Sequence, residues 1–240
     1  MSLAVVIPAY NEAATIRSVA ERALAQVPRV IVVDDGSVDG TAAALEALPV
    51  TLIRNPRNLG KAASLWRGMA VALAENATAV ITLDGDGQHR PEDIPRLLET
   101  HRHQPGALVV GARLHEGGKI PAERYLANRF ANFWIAWAAG QRVEDSQSGF
   151  RVYPAELLRS LPPHLGRAAG FVFESEVLIE AGRRGARLAW VQIPAVYELS
   201  ARPSHFRPVA DIALITRMVA WKLLSRGLYL RGLLRSLRGA

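Results

Sequence analysis

The sequence predicts an α/β fold, with a mainly parallel, twisted and doubly wound sheet and helices on both of its faces. In the first hundred residues, short runs of β-branched residues alternate with longer segments whose apolar residues recur at helical spacing. Three of the short runs end in polar loops, with the sequences PAYNE, DDGSVDGT and DGDGQH. Ligands of open α/β sheets bind beyond the carboxyl ends of the strands, so these loops predict a site at one sheet edge.

Each predicted strand is a short run rich in Val and Ile that a polar segment terminates. The predicted strands are Leu3–Pro8, Arg29–Asp34, Val50–Arg54, Thr78–Asp84, Leu108–Ala112 and Ala186–Tyr197. The helices are predicted where apolar residues recur at helical spacing, over Glu12–Gln26, Asp39–Leu48, Gly60–Asn76 and Pro121–Ala139. Ser37 or Asp39 is a candidate N-cap for the second helix. No internal repeat or long linker is visible, so we expect one domain over residues 1–205 and a basic amphipathic helical tail over residues 206–240.

The composition limits the kinds of site that the chain can build. The 240 residues are enough for a substantial core, and a hydrophobic fraction of 50% excludes a disordered chain. The absence of cysteine excludes disulfides and thiolate metal sites. Any metal ion must therefore be held by oxygen or imidazole, and oxygen ligands favour magnesium, manganese or calcium.

The net charge of +7 is unevenly distributed along the chain. Acidic and basic residues balance up to Ala201, and the whole excess lies in the segment from Arg202 to Ala240. A basic tail on a neutral body predicts an anionic partner that the tail contacts. A neutral body without a platform of aromatic and basic residues argues against nucleic acid as that partner.

The N-terminus MSLAVVIPAYNE has no basic region and leads directly into the first predicted strand. This pattern is not typical of a signal peptide, and no window of about 18 apolar residues is free of charge. We therefore expect a cytoplasmic protein without a transmembrane helix.

The loop after the fourth strand places Asp84, Asp86 and Gln88 at alternating positions, with glycines between them. A solvated turn is one interpretation of this pattern. An EF-hand is excluded, because its sixth position would be His89 instead of Gly and its twelfth Pro95 instead of Glu. The remaining interpretation is an open site in which a divalent ion takes two or three protein oxygens and completes its shell with phosphate.

Two further segments predict contacts with a nucleotide. Asp34 and Asp35 end the second strand, where a carboxylate can accept hydrogen bonds from a nucleobase or a ribose hydroxyl. Gly60 and Lys61 lie where a loop enters a helix, and a helix N-terminus with a nearby lysine attracts phosphate. The spacing excludes a Walker loop, and Lys61 could equally be a surface charge.

Together, the segments VVIPAYNE, VVDDGSVDGT, NLGKAAS, TLDGDGQH and DSQSGFRVY resemble family 2 glycosyltransferases with the GT-A fold, over about Leu3 to Arg207. Within that family the chain is most similar to the dolichol-phosphate mannose synthase and polyprenyl-phosphate glycosyltransferase branch. By resemblance, Mg²⁺ or Mn²⁺ would be bound by Asp84, Asp86 and Gln88. The nucleotide of a sugar donor would be contacted by Pro8, Tyr10, Glu12, Asp35, Gly60, Lys61 and Asp84.

The resemblance also implies residues for the acceptor and for the reaction. Guanidinium groups suit phosphate, and the branch has arginines at the places of Arg113, Arg124 and Arg129. Asp145, in DSQSGFRVY, is the candidate carboxylate at the reacting centre, beside Asp86 and Arg113. A phosphate monoester acceptor is already anionic at neutral pH and needs no strong base, whereas a hydroxyl acceptor would need one.

The chain departs from the branch at three expected side chains. Ala169 stands at the place of a lysine, Glu174 at that of a glutamine, and His205 at that of a second lysine. Arg202 lies beside His205, and we expect both to contact the acceptor phosphate, with the nearby Arg167 and Arg207 as further candidates. These departures concern the side chains expected around the donor and the acceptor, and they leave the metal site unchanged.

The tail after Asp211 is amphipathic. On a helical wheel from Gly227, Arg231, Arg235 and Arg238 share one face, and leucines cover the other. One interpretation is a helix that packs on the domain or on a partner in a homodimer. The other, which we favour, is an interfacial helix on an anionic membrane surface.

The sequence thus predicts a metal-dependent, inverting glycosyltransferase that moves a sugar from a nucleoside-diphosphate sugar to a polyprenyl phosphate. We expect it to be peripheral on the cytoplasmic face of the cell membrane. Two alternatives remain open: the same chemistry on a hydroxyl acceptor, such as a glycolipid or polysaccharide, and a non-catalytic nucleotide-sugar-binding protein.

Overall fold

The computed structural model describes residues 2–113, 122–168, 172–194 and 208–238. These residues form one seven-stranded sheet with helices on both faces, as the sequence predicts. The strands are β1 (Leu3–Ala9), β2 (Val30–Asp34), β3 (Thr51–Arg54), β4 (Ala79–Thr82), β5 (Leu108–Ala112), β6 (Arg151–Pro154) and β7 (Leu188–Gln192). The helices are α1 (Ile16–Leu24), α2 (Lys61–Ala74), α3 (Ile94–His103), α4 (Ala122–Ala139), α5 (Ala155–Ser160), α6 (Val172–Arg183), α7 (Pro208–Leu224) and α8 (Leu230–Arg238).

The strand order is β3-β2-β1-β4-β6-β5-β7, and β6 runs antiparallel to both of its neighbours. The other strand pairs are parallel, so their carboxyl ends meet at one edge of the sheet. Because β6 runs the opposite way, the loop that precedes it lies at that same edge. This arrangement brings the DSQSGF segment next to the acid loop after β4.

Alternate residues of β1 pack into two separate hydrophobic cores, one on each face of the sheet. Ala4 and Val6 pack with α2, α4, α6 and α7 on one face of the sheet, whereas Val5 and Ile7 pack with α1 and α3 on the other. Burial of both faces explains why β1, β2, β4 and β5 are continuous apolar runs instead of alternating ones, whereas the outer strands β3 and β7 are partly exposed.

The predicted helix over Asp39–Leu48 is wrong, because the structure has only a 3₁₀ turn at Ala43–Leu45. The Asp39 carboxylate accepts hydrogen bonds from the backbone N–H groups of Ala13 and Thr41. The Thr41 hydroxyl accepts one from the N–H of Glu12. These side chains tie the segment to the loop after β1, and such bonds compete with helix formation. The N-cap role expected for Ser37 or Asp39 is also wrong, since Ser37 Oγ accepts a bond from the N–H of Asn11.

The sequence reading missed β6 and placed the last strand too broadly. The segment Arg151–Pro154 forms β6, which the sequence analysis does not predict, and β7 covers Leu188–Gln192 within the predicted Ala186–Tyr197. Residues 195–197 lie outside the described part of the chain.

The tail forms α7 and α8, which pack on α4 and α6. A 3₁₀ turn at Gly227–Tyr229 separates the two helices, and the positive φ of 63° at Leu228 excludes a continuous helix from Gly227. The indole N–H of Trp137 in α4 donates to the carbonyl of Leu228 at 2.8 Å. The domain boundary expected at residue 205 falls outside the described residues and stays a prediction. Within the described ranges, no helix is long and apolar enough to span a bilayer.

Candidate functional site

The polar loops that the sequence singled out meet at the edge of the sheet where β1, β2, β4 and β5 end. Tyr10 directly follows β1, Asp35 follows β2, and Arg113 follows β5. Asp84 lies two residues after β4 and faces the segment that leads into β6. The fold therefore brings the predicted loops together, as expected from the parallel order of their strands.

The acid loop holds two carboxylates close enough to influence each other. Burial alone would raise the pKa of Asp84, but the positive charge of Lys61, with smaller effects of His89 and Arg113, lowers it to about 2. Burial raises the pKa of Asp86, and the charge of Asp84 raises it further. Asp86 Oδ1 accepts a hydrogen bond from the backbone N–H of Gln88 at 2.9 Å, which fixes the turn. The loop thus presents concentrated negative charge.

Lys61, the first residue of α2, lies between two acids. Its ammonium nitrogen is 2.7 Å from Asp84 Oδ1 and 2.8 Å from Glu174 Oε1. Burial alone would lower the pKa of Lys61, but Asp84 and Glu174 raise it well above its usual range. Lys61 is therefore a partly buried cation of the site, which decides against the interpretation as a surface charge.

Glycine is required where β6 begins. A Cβ atom on Gly149 would come within 2.8 Å of Asp84 Oδ2 and 2.9 Å of Asp84 Oδ1. The Thr82 hydroxyl donates to the Gly149 carbonyl at 2.7 Å, which holds this backbone in place. The Asp84 carboxylate therefore packs directly on the Gly149 backbone.

Asp145 forms a buried bidentate pair with Arg113. Arg113 Nε lies 3.0 Å from Asp145 Oδ2, and Arg113 Nη2 lies 3.3 Å from Asp145 Oδ1. The backbone N–H groups of Arg113 and Gln147 also donate to this carboxylate. Burial alone would raise the pKa of Asp145, but the Arg113 guanidinium and these hydrogen bonds lower it. A carboxylate held in this way is a weak proton acceptor.

Arg151 is a site residue that the sequence reading missed. Its guanidinium is fully buried and donates to the carbonyls of Ser146, Ser148 and Glu174 at 3.0, 2.8 and 2.7 Å. These bonds tie the loop before β6 to the first turn of α6. The available sequence signal was an arginine at the start of a short, mainly apolar strand.

His89 is buried beside the acid loop and packs against the ring of Phe150. Burial lowers the pKa of His89 to about 4, so the imidazole is neutral at pH 7. Its Nδ1 accepts the backbone N–H of Asp84 at 3.4 Å. His89 therefore supports the loop without adding charge.

Asp35 binds protein groups of the loop before α2. Its Oδ1 accepts bonds from Asn55 Nδ2 at 2.7 Å and from the N–H of Leu59 at 2.9 Å, and its Oδ2 accepts the N–H of Gly60 at 2.8 Å. Gly60 has a φ of 94°, which favours glycine at this position. Asp35 thus positions the backbone that leads to Lys61, and its predicted contact with a nucleotide stays a prediction.

The other nucleotide-binding candidates lie on and after β1. Pro8 is within the strand, and Tyr10 and Glu12 follow it at the same sheet edge. The N–H of Glu12 donates to Thr41 Oγ1, which joins this loop to the one after β2.

The arginine cluster expected for the acceptor is only partly described. Arg129 lies on the exposed side of α4, where its guanidinium contacts the hydroxyl and the ring of Tyr125. Arg124 is in the first turn of α4, but its side chain lies outside the described part. Arg202 and His205 also lie outside it.

The donor set of the acid loop fits a hard divalent cation. Asp84 and Asp86 supply carboxylates, and Gln88 supplies an amide oxygen, which are the ligand types that Mg²⁺ and Mn²⁺ prefer. In the described ranges, no group of three or more His, Cys, Asp or Glu side chains could hold a metal ion. An ion at this loop would therefore need further oxygens from a ligand.

Comparison with known proteins gives the same assignment as the motifs. An undecaprenyl-phosphate mannosyltransferase of Micrococcus luteus is 29% identical over 82% of this chain and 84% of its own length. A UDP-N-acetylglucosamine–dolichyl-phosphate N-acetylglucosaminyltransferase of Methanococcus voltae is 29% identical over 80% of this chain and 84% of its own length.

A solved structure shares the architecture. Glucosyl-3-phosphoglycerate synthase from Mycobacterium tuberculosis, crystallised with Mn²⁺, UDP and phosphoglyceric acid, matches with a TM-score of 0.68 and 27% identity. The match covers 94% of this chain and 78% of the synthase. The same synthase has also been crystallised with Mg²⁺ and UDP.

The sequence model of Glycosyl transferase family 2 matches residues 4–160, which is more than half of the chain. The match runs from the second residue of β1 to beyond β6 and includes the acid loop. The resemblance read from the motifs, the fold and these comparisons agree. The chain belongs to glycosyltransferase family 2 and is a glycosyltransferase with the GT-A fold.

Proposed function

We propose that this chain transfers a sugar from a nucleoside-diphosphate sugar to a polyprenyl phosphate, with inversion at the anomeric carbon. The observation that carries the choice of acceptor is the Arg113–Asp145 pair. Asp145 is the candidate base of the site, yet its lowered pKa and bidentate arginine make it a weak one. A phosphate monoester is anionic at neutral pH and needs no base, so it suits this site better than a hydroxyl.

In the transfer, a phosphate oxygen of the acceptor forms a bond to the anomeric carbon from the face opposite the leaving group. The bond between that carbon and the diphosphate oxygen breaks, and the electron pair leaves with the nucleoside diphosphate. Mg²⁺ or Mn²⁺, held by Asp84, Asp86 and Gln88, would supply positive charge for the departing diphosphate. Pro8, Tyr10, Glu12, Asp35 and Gly60 form the side of the site assigned to the nucleotide.

We assign the acceptor phosphate to the arginine side of the edge. Arg113 follows β5 next to Asp145, and Arg124 and Arg129 belong to α4, which comes next in the chain. Arg202 and His205 complete the proposed set. The printed names of the two relatives support this acceptor, since one acts on undecaprenyl phosphate and the other on dolichyl phosphate.

The tail and α4 are proposed to place the enzyme on the cytoplasmic face of an anionic membrane, with residues 1–205 as the catalytic domain. Although α7 and α8 pack on the body, they leave apolar side chains exposed, among them Trp221, which is 70% exposed, and Leu230, Leu234 and Leu237. Phe130 of α4 is 68% exposed. Basic side chains next to exposed apolar ones are typical of helices that lie on anionic lipid. A homodimer that covers these side chains is the competing arrangement.

A hydroxyl acceptor is the second candidate. The solved synthase was crystallised with phosphoglyceric acid, which carries hydroxyl as well as phosphate groups. A glycolipid or polysaccharide hydroxyl would require Asp145 to leave Arg113 and accept a proton.

The first experiment is a panel of nucleotide sugars with Mn²⁺ or Mg²⁺, read by thermal stabilisation, because a ligand that binds only the folded state raises the melting temperature. The stabilising donor is then incubated with polyprenyl phosphate and, as a matched control, with the corresponding polyprenol. Transfer to the phosphate alone supports the proposal. Transfer to the alcohol, with loss of turnover in Asp145→Asn, would support the second candidate, whereas donor binding without transfer to any acceptor would indicate a non-catalytic protein.

A further inference from the structure

The ammonium of Lys61 lies where its charge would repel a metal ion bound by Asp84. It contacts Asp84 Oδ1 at 2.7 Å, and the side chains of Lys61 and Asp84 are 20% and 22% exposed. Water therefore screens their charges only partly. Two positive charges on one carboxylate repel each other, so the ammonium weakens the attraction of Asp84 for a divalent cation.

The charge of the cluster leaves room for such a cation. Asp84, Asp86 and Glu174 supply three carboxylates, and Lys61 supplies one ammonium. The neighbouring Arg113 and Asp145 pair with each other. Among the residues that the structure describes, the carboxylates of this cluster outnumber the ammonium by two, a difference that one divalent ion would balance.

Glu174 offers the ammonium a second, fixed partner. It lies in the first turn of α6, is 2% exposed, and holds Lys61 at 2.8 Å through Oε1. Arg151 Nη1 donates to its backbone carbonyl at 2.7 Å, which anchors this turn from behind. Apart from the ion pair with Lys61, neither carboxylate oxygen of Glu174 accepts a hydrogen bond from any group that the structure describes.

We propose that Lys61 is a displaceable counter-ion of Asp84, and that Glu174 is the positioning residue that retains the ammonium when Asp84 binds a divalent cation. This inference rests on the proposed function, because it requires a metal ion at the acid loop. A donor diphosphate gives the released ammonium a further anionic partner. Metal ion and nucleotide therefore bind cooperatively, since each favours the arrangement of Lys61 that the other requires.

The first test measures Mn²⁺ binding by calorimetry without nucleotide. Lys61→Met, which keeps most of the side-chain length and removes the charge, should bind Mn²⁺ about tenfold more tightly than the unchanged chain. Lys61→Arg keeps the charge and should bind it as weakly as the unchanged chain. Arg67→Met, on the same helix, is the control for loss of a cation elsewhere. Adding Asp84→Asn to Lys61→Met should abolish the gain.

The second test measures coupling with nucleotide and the role of Glu174. UDP or GDP should tighten Mn²⁺ binding to the unchanged chain, and this effect should shrink in Lys61→Met. Glu174→Gln should weaken Mn²⁺ binding in the unchanged background but have little effect in the Lys61→Met background. Such a double-mutant cycle separates an effect that acts through Lys61 from a direct effect on the ion.

Three results would overturn the inference. Equal Mn²⁺ affinity of Lys61→Met and the unchanged chain, with Mn²⁺ still binding in the presence of UDP or GDP, would refute it and leave the proposed metal dependence intact. Equal weakening by Glu174→Gln in both backgrounds would show that Glu174 acts directly on the ion and does not position Lys61. No Mn²⁺ binding by any folded variant, with or without either nucleotide, would refute both proposals.

Discussion

Two lysines of this chain each lie between two acids of the same protein, but their surroundings differ. Lys61 contacts Asp84 and Glu174 at the sheet edge, and Lys222 of α7 contacts Glu176 and Glu180 of α6 at 2.9 and 2.6 Å. Both lysines are largely buried, and three of the four acids belong to α6. Helix α6 therefore contributes to the candidate site at its first turn and holds the tail further along.

The charge balance of the two clusters shows what each can do. Around Lys222, Arg183 and Arg184 also pair with Glu180, so the acids are fully compensated by cations of the chain. Around Lys61, the carboxylates of the described residues outnumber the ammonium. A compensated cluster stabilises packing between helices, whereas an uncompensated one attracts a cation from solution. Substitutions in the two clusters should therefore affect different properties.

The largest effect is expected for Asp86→Asn. This change removes a carboxylate of the acid loop, whose Oδ1 accepts a bond that an amide oxygen can also accept. Transfer should fall by at least about a hundredfold, because the charge that would hold the metal ion is reduced, while the fold stays intact. Turnover and circular dichroism would be measured together, with Glu99→Gln on the exposed side of α3 as the control. An active variant, or an unfolded one, would contradict the assignment.

Arg151 is a third buried cation, and it differs from the two lysines in its partners. No carboxylate of the described residues pairs with it, and its donors bind three backbone carbonyls. Arg151→Met would leave these carbonyls without partners. We expect the free energy of unfolding to fall by about 3 kcal/mol or more. Urea unfolding would measure the loss. A fall of less than about 1 kcal/mol would mean that the loop before β6 does not depend on Arg151.

Gly149→Ala changes the space around the Asp84 carboxylate without changing the charge of the site. The added methyl group would come within 2.8 Å of Asp84 Oδ2, so the carboxylate must shift. Mn²⁺ affinity measured with UDP should fall about tenfold, since metal sites tolerate little displacement of a ligand. Gly40→Ala is the matched control, because its nearest new contact is 3.8 Å away. Equal Mn²⁺ affinity of both variants would indicate that the ion does not contact Asp84.

Some features of the fold and of the site could be predicted from the sequence, and others could not. The parallel strands were predictable because their apolar runs are continuous, and the acid loop because Asp84, Asp86 and Gln88 alternate with glycines. The helix over Asp39–Leu48 failed because Asp39 and Thr41 bind backbone groups of a distant loop, which helical spacing does not show.

The contacts of the site were harder to predict than its location. Lys61, Asp84 and Glu174 are far apart in the chain, so their contact depends on the packing of α2 and α6 at one sheet edge. The pairing of Asp145 with Arg113 likewise depends on β6 running antiparallel beside β5, and that strand was missed.

Lys222→Met should lower the stability of the protein and leave its turnover unchanged. Glu180 keeps Arg183 and Arg184 as partners, so we expect the free energy of unfolding to fall by only about 1 to 2 kcal/mol. Turnover with a soluble donor, measured as donor hydrolysis, should stay close to that of the unchanged chain. A loss of Mn²⁺ affinity in this variant would show that the two clusters are coupled through α6, which would contradict the division drawn between them.

As the pH falls, the metal-free protein should lose stability first through its buried histidines and only at lower pH through Glu180, which pairs with Lys222 of the tail. The pKa of His89 is about 4 in the folded protein, whereas an unperturbed histidine has a pKa of about 6.5. The unfolded state therefore takes up a proton first, and stability falls as the pH drops below about 6.5. His101, whose pKa burial also lowers, contributes in the same direction. Burial alone would raise the pKa of Glu180, but Lys222 and Arg184 lower it, so the stability it adds is lost only below about pH 4.5.

The measurement is urea unfolding at pH 7.5, 5.5 and 4. Between the first two values we expect a loss of about 1 kcal/mol from His89, and His89→Asn should reduce this loss while Lys222→Met leaves it unchanged. Between pH 5.5 and 4, Lys222→Met should reduce the additional loss, because Glu180 then gains less from its cations. If Lys222→Met instead altered the loss of stability between pH 7.5 and 5.5, the group that titrates in this range would lie near the tail and would not be the imidazole of His89.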